Sequence, residues 1–189
     1  MRGLTVVTGP AVEPWTLDEV RGHLRVEHHD EDLLIEGLLR AAVERVELIA
    51  QRSLITQTRE ASYDAFPGGR VLTLPQPCQS VTSVKYTPAG AAVASTFDAA
   101  NYQVDTVGTP GSIWLRSGCS WPSDELEPVN GVQVQFVAGY GDAATDVPQT
   151  LRQLLLMYVA HWYERPETDP SQGEILRALD NLVLAYRWE

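Results

Sequence analysis

Apolar positions along this chain follow three regimes: helical spacing at both ends and alternation in the middle. Thr16-Leu17-Asp18-Glu19 opens the first helical stretch. A hydroxyl at the N-cap and a carboxylate three residues later are the two halves of a capping box, which predicts a short helix to about Leu24. Asp30, Glu31 and Asp32 precede a longer run, and acids suit a helix start by capping free N–H groups and by opposing the helix dipole. This second helix is expected to reach about Gln51. Leu34, Ile35, Leu38, Ala42, Val46 and Ile49 lie on one face, and Glu36, Arg40, Glu44 and Glu47 on the other.

From Ser53 to Val137 the period moves towards two. Expected strands are Leu54–Tyr63, Val71–Leu74, Val81–Tyr86, Tyr102–Val104, Ser112–Leu115 and Val132–Val137. Pro67-Gly68-Gly69, Pro75-Gln76-Pro77, Pro88-Ala89-Gly90, Thr109-Pro110-Gly111 and the loop around Trp121-Pro122 punctuate them. Such short intervals predict a small antiparallel sheet or sandwich. No internal repeat or low-complexity tract is present.

Helical spacing returns after Val147-Pro148, with proline expected in a first turn, where its missing N–H costs nothing. Leu151, Leu154, Leu155, Tyr158, Val159 and Trp162 form one stripe, and Leu156, Met157 and Ala160 fill the other side. This helix should be buried nearly all round. A break from Arg165-Pro166 to Pro170 precedes a last helix, about Gln172 to Tyr186. Its stripe is Ile175, Leu176, Leu179, Leu182, Val183 and Tyr186.

The predicted fold class is α+β: a helical bundle of about four helices, with a β-rich antiparallel insertion between helices two and three. Residues 15–51 and 147–187 would be the helical base of one protomer, and 53–138 the insertion. Gly139, Tyr140, Gly141, Pro148, Trp162 and Tyr163 read as the structural joint where the last strand of the insertion gives way to the third helix.

Composition narrows the functions open to such a fold. At 189 residues the chain buries enough surface to fold without a metal or disulfide staple. Cys78 and Cys119 lack CxxC or metal-ligand spacing and are expected as free thiols. The N-terminal stretch lacks the apolar core of a signal peptide, and no apolar run approaches the roughly 20 residues that span a bilayer. The chain is therefore expected in the cytoplasm where it is made, with no membrane partner. A net charge of −11, with Lys85 the single lysine, argues against nucleic-acid binding as the main task.

Candidate chemistry is sparse. Gly139-Tyr140-Gly141-Asp142-Ala143-Ala144 matches a dinucleotide-type G-x-G-x-x-A after a strand, but Pro148 starts the helix too late and no strand follows to close a βαβ unit. His23, His28, His29, Asp30, Glu31 and Asp32 match neither an HExxH nor an EF-hand spacing. His161 sits in an apolar helix as an expected core or interface histidine. Ser117-Gly118-Cys119-Ser120 has no histidine near it in sequence, and there is no G-x-S-x-G elbow or P-loop. No catalytic residue, metal or cofactor is expected. The last helix carries more. Its stripe, with Tyr186 and Trp188 at its end, either packs on the preceding helix or docks into a partner, since aromatic residues and arginine are common interface anchors.

The order of these features resembles the head–tail connector (neck adaptor) proteins of long-tailed bacteriophages and gene transfer particles. The residues that carry it span most of the chain. They are Leu17 with His23-Leu24-Arg25, the acidic turn, Arg52-Ser53-Leu54-Ile55-Thr56, Leu74-Pro75-Gln76-Pro77 and Val81-Thr82-Ser83-Val84-Lys85-Tyr86. Tyr102-Gln103-Val104-Asp105, Trp121-Pro122, Ala138-Gly139-Tyr140-Gly141, Val147-Pro148 and His161-Trp162-Tyr163-Glu164 complete it. The resemblance implies a non-enzymatic subunit of a homo-oligomeric ring, commonly twelve-fold, in the neck of a virion or phage-like particle. It would sit beneath the portal protein and receive a stopper or tail-completion protein, with DNA passing through the lumen without sequence-specific binding. It further implies that the C-terminal helix engages the portal, making Ile175, Leu176, Leu179, Leu182, Val183, Tyr186 and Trp188 the docking residues. Acids lining the lumen would keep exiting DNA from sticking. Two unit charges about 10 Å apart interact by only about 0.4 kcal/mol in water, so this is lubrication rather than gating.

Two other classes compete. A ligand- or carbohydrate-binding β module would use Trp114, Trp121 and Tyr102 as a stacking face, and a small hydrolase would use Cys119 or the His28–Asp32 cluster.

Overall fold

The computed structural model describes residues 3–164 and 172–187. The fold is α+β. The chain divides into two compact units, Ala11–Ile55 with Tyr140–Glu189, and Met1–Pro10 with Thr56–Gly139.

The helical unit holds α1 (Leu17–Leu24), α2 (Asp32–Ala50), α3 (Gln149–Glu164) and α4 (Gln172–Leu184). The capping box forms at α1: the Glu19 amide donates to Thr16 Oγ1 at 3.3 Å, and the Thr16 amide donates back to Glu19 Oε2 at 2.9 Å. Such a cap stabilises a helix start by about 1 kcal/mol. The hydrogen bond from the Thr16 amide also holds the Glu19 carboxyl below its ordinary value. Both α1 and α2 stop at residues in the left-handed region, Arg25 and Gln51, whose amides turn back to helix carbonyls.

Three expectations shift here. Glu31, the N-cap of α2, makes no capping bond. Its carboxylate instead accepts from the Tyr163 hydroxyl, so only the dipole half of the acidic-turn argument survives, through Asp32. The buried stripe of α2 is Ile35, Leu39, Ala42, Val46 and Ala50. Leu34, assigned to that stripe, is 53% exposed, because packing against α3 and α4 selects a neighbouring phase of a leucine-rich surface. Pro148 lies just before α3 rather than inside its first turn, and its carbonyl receives the Arg152 amide at 3.1 Å. The near-complete burial expected of α3 is otherwise seen. Exposure is confined to a narrow line that includes Gln153, Met157 and Glu164.

The β unit contains two antiparallel sheets, in the orders β1-β2-β8-β4-β5 and β3-β7-β6. The strands are β1 (Gly3–Thr8), β2 (Gln57–Tyr63), β3 (Val71–Thr73), β4 (Ser80–Tyr86), β5 (Ser95–Thr96), β6 (Tyr102–Asp105), β7 (Ser112–Leu115) and β8 (Val132–Ala138). Central β8 shows the period of two plainly: Val132, Val134, Phe136 and Ala138 are fully buried, and Gln133, Gln135 and Val137 alternate with them. Each of the three larger side chains contributes about 1.5–3 kcal/mol by burial. They share one apolar cluster with Ile113 and Leu115 of β7 and Leu72 of β3, so both sheets close on one core.

Strands β1 and β5 were not among the expected six. The sequence before residue 57 also splits differently. Leu54 and Ile55 belong to the core of the helical unit, with the Leu54 carbonyl bonded to the Tyr140 amide at 3.0 Å and Ile55 bridging to Gly141.

Candidate docking surface

Helix α4 is fixed to its own unit at two polar points. Arg45 of α2 donates from Nε and Nη2 to the two oxygens of Asp180, at 2.9 and 2.7 Å. The hydroxyl of Tyr158, from α3, donates to the same carboxylate at 2.6 Å. The second point is Arg52, just past α2, whose Nε donates to the Tyr186 carbonyl at 2.6 Å. Three helices therefore meet at one carboxylate. Burial pushes the Asp180 carboxyl up, but the bonds from Arg45 and Tyr158 and the Arg45 charge outweigh it and leave it below its ordinary 3.8. Burial, then the Asp180 bond, raises the Tyr158 phenol well above the usual range.

The apolar stripe of α4 is used in the same contact. Leu179 and Val183 are buried, and Ile175, Leu176 and Tyr186 pack against the helical core half-covered. Leu182 is 54% exposed, and Leu184, outside the stripe, 42%. Trp188 lies outside the described residues. Leu182 and Leu184 are thus the exposed large apolar side chains of α4, and at two residues apart they point to different sides of the helix.

The joint residues are held locally. Gly139 adopts φ 136, a backbone region that favours glycine. At Gly141 a Cβ would run into Asp146 Oδ2, and that carboxylate accepts from the Ala143 amide at 2.9 Å. Tyr140, Trp162 and Tyr163 all pack on the core of the helical unit, with Trp162 against Tyr158 at a ring distance of 5.5 Å. A further anchor escaped the sequence reading. Arg152 of α3 is buried, lies 3.7 Å from the Trp15 ring and donates to the Pro14 carbonyl at 3.1 Å, while the Trp15 indole donates to the Arg152 carbonyl at 2.7 Å. The entry into α1 is pinned to α3 in this way.

The other candidate residues fall as follows. No group of three or more His, Cys, Asp or Glu side chains among the described residues is placed to hold a metal. In the acidic turn the Arg21 guanidinium sits among the carboxylates, donating to Asp18 at 2.5 Å and Asp32 at 3.3 Å, and His29 contacts Asp32 at 3.0 Å. His23 and His28 are exposed. His161 is buried, and its Nε2 has no hydrogen-bond partner. Cys78 and Cys119 are free thiols. Among the described residues no helix is long and apolar enough to cross a membrane. Tyr102 is buried and stacked on Phe97, so it cannot serve a sugar face. Trp121 stacks on Phe66 at 4.9 Å, and Trp114 is 44% exposed.

Comparison with known proteins bears out the resemblance drawn from the sequence. Residues 14–87, which include α1, α2 and strands β2 to β4, match the family of phage gp6-like head-tail connector proteins. The fold as a whole is similar to three solved chains. The neck of an empty gene transfer agent particle computed with C6 symmetry matches at 24% identity and a TM-score of 0.77, over 99% of this chain and 96% of that one. A chain of the virion of a native gene transfer agent particle matches at 24% and 0.78, over 100% and 96%. The neck of the native particle computed with C12 symmetry matches at 23% and 0.73, over 99% and 96%. No curated protein matches the chain.

Proposed function

We propose that this chain is a structural head–tail connector subunit, one protomer of a ring in the neck of a tailed phage or gene transfer particle. The observation that carries this reading is the length of the fold match: helices and sheets together correspond over nearly the whole of both chains. The connector family match over residues 14–87 supports it independently. The similar necks were computed with C6 and C12 symmetry, which supports a ring and favours twelve subunits. Such a subunit acts by geometry rather than by catalysis, as a spacer between capsid and tail through which DNA passes. Its net charge of −11 suits a lumen that does not retain DNA.

Within the ring α4 is the portal-facing element. Ile175, Leu176, Leu179, Val183 and Tyr186 hold it on the base while Leu182 and Leu184, on different sides of the helix, are the exposed leucines left for docking. The stopper or tail-completion protein binds elsewhere on the ring. Gly139 to Pro148 serves as the joint that returns the chain to the helical unit along a constrained backbone.

Leu182→Asp with Leu184→Asp tests the docking claim without removing core contacts. The double variant should keep its fold, by circular dichroism, and lose portal capture at least tenfold. Portal capture at wild-type strength by a folded double variant would refute docking through α4.

A further inference from the structure

The larger sheet of the β unit has an open edge. Strand β1 lies outermost and, among the described residues, pairs on one side only, with β2. It lacks the charges and prolines that usually guard a free edge, and Thr5, Val6, Val7 and Thr8 are all exposed. Its bulge falls at Val7, so Gly3–Val6 stays regular. The opposite end of the same sheet is half open. There β5 pairs with β4 only at Lys85 and Tyr86, and the Phe97 amide donates to the Val84 carbonyl at 2.8 Å. Among the described residues nothing pairs with Ser80–Ser83 on that side, a length that includes a bulge at Thr82 and exposes Ser80 and Thr82. The two open lengths match, and so do their senses. Strand β1 is antiparallel to β2, β2 to β8 and β8 to β4, so β1 runs antiparallel to β4.

We infer that β1 of one copy adds to the open length of β4 in the next copy, making the sheet continuous from protomer to protomer. The inference rests on the ring reading above and names the surfaces that close the ring. Copies related by rotation about one axis meet head to tail through two unlike patches, and the opposite edges of one sheet are such a pair. A rotation about an axis roughly along the strands keeps their sense, so the added strand arrives antiparallel, like its neighbours in the sheet. Main-chain hydrogen bonds supply the attraction, as in other strand additions, and exposed Val6 and Val7 gain cover. Pairing of β1 with a second β1 joins two copies and stops there, leaving every β4 edge open.

The test uses the full chain assembled with its portal, in a Cys119→Ser background with buried Cys78 left in place. Thr5→Cys and Ser80→Cys put one thiol on each edge, both at exposed positions. Inside one copy these lie three strands apart, at least about 14 Å, and a bismaleimide shorter than that joins them only between copies. The double variant should give a ladder of covalent multimers beyond the dimer on denaturing gels, and each single variant should stay monomeric. Closed rings in electron micrographs without a ladder would overturn the edge pairing and leave the connector reading standing. Dimers from Thr5→Cys alone would also overturn it, by placing β1 against β1. Absence of rings from the wild type overturns the connector reading and this inference together.

Discussion

Replacing Asp180 with alanine removes a carboxylate that joins α2, α3 and α4. It takes away three hydrogen bonds, two from Arg45 and one from Tyr158. The consequences differ for the two donors. Arg45 keeps 36% of its side chain in solvent and regains water, so losing the half-exposed ion pair costs about 0.5–1 kcal/mol. Tyr158 is fully buried, and stranding its hydroxyl costs about 1–2 kcal/mol. The sum is about 1.5–3 kcal/mol. It should fall on the opening of α4, which otherwise depends on the burial of Leu179 and Val183 and on Arg52. Protection of the α4 amides against hydrogen exchange should therefore drop by roughly 10- to 140-fold, taking 1.4 kcal/mol per tenfold. Tyr158→Phe, which leaves the ion pair intact, should give a drop several times smaller. Unchanged α4 protection in a folded Asp180→Ala protein would refute the clasp. The same carboxylate gives a pH dependence. Its folded-state pKa is depressed, so the unfolded chain takes up this proton first. The contribution is complete above about 3.8 and is lost as pH falls through the lower folded value. The stability of the wild type should fall below pH 4 more steeply than that of Asp180→Asn.

Arg152→Met keeps the bulk of the buried side chain but loses its bond to the Pro14 carbonyl and its cation on the Trp15 ring. It should lower stability by about 2 kcal/mol and shift Trp15 fluorescence, read by urea denaturation. Gly141→Ala drives a methyl into the Asp146 carboxylate and breaks its hold on the Ala143 amide, with an expected loss of about 1–3 kcal/mol by the same measurement. Burial, then Asp105, pushes the Cys78 thiol up to about 11, so iodoacetamide at pH 8 should label half-exposed Cys119 first and Cys78 only on unfolding, as read by peptide mass spectrometry.

Local chemistry made much of the fold legible. The capping box at Thr16 and Glu19 is present to the atom, and the alternation of Val132, Val134 and Phe136 marked the central strand. Elements whose order comes from distant partners were hidden. Strand β1 has exposed Val6 and Val7 and no alternation, and it is a strand because it pairs with β2 some fifty residues on. The face buried by α2 was displaced because Leu34 and Leu39 are equally apolar in sequence, and only packing chooses between them. The stripe of α4 could be read, but its anchoring could not: Arg45 and Asp180 lie 135 residues apart, and nothing near either one signals the other. Trp121 stands out in the sequence as a candidate contact, but its stacking on Phe66 joins two loops that only the β2–β8 pairing brings together.

The connector reading is tested most directly by electron microscopy of the purified chain mixed with the portal of its own particle. The expected result is a closed ring, twelve-fold, stacked coaxially on the portal, with α4 of each protomer at the contact. Portals that remain bare beside dispersed protomers, at concentrations where both proteins are folded and in excess, would contradict it.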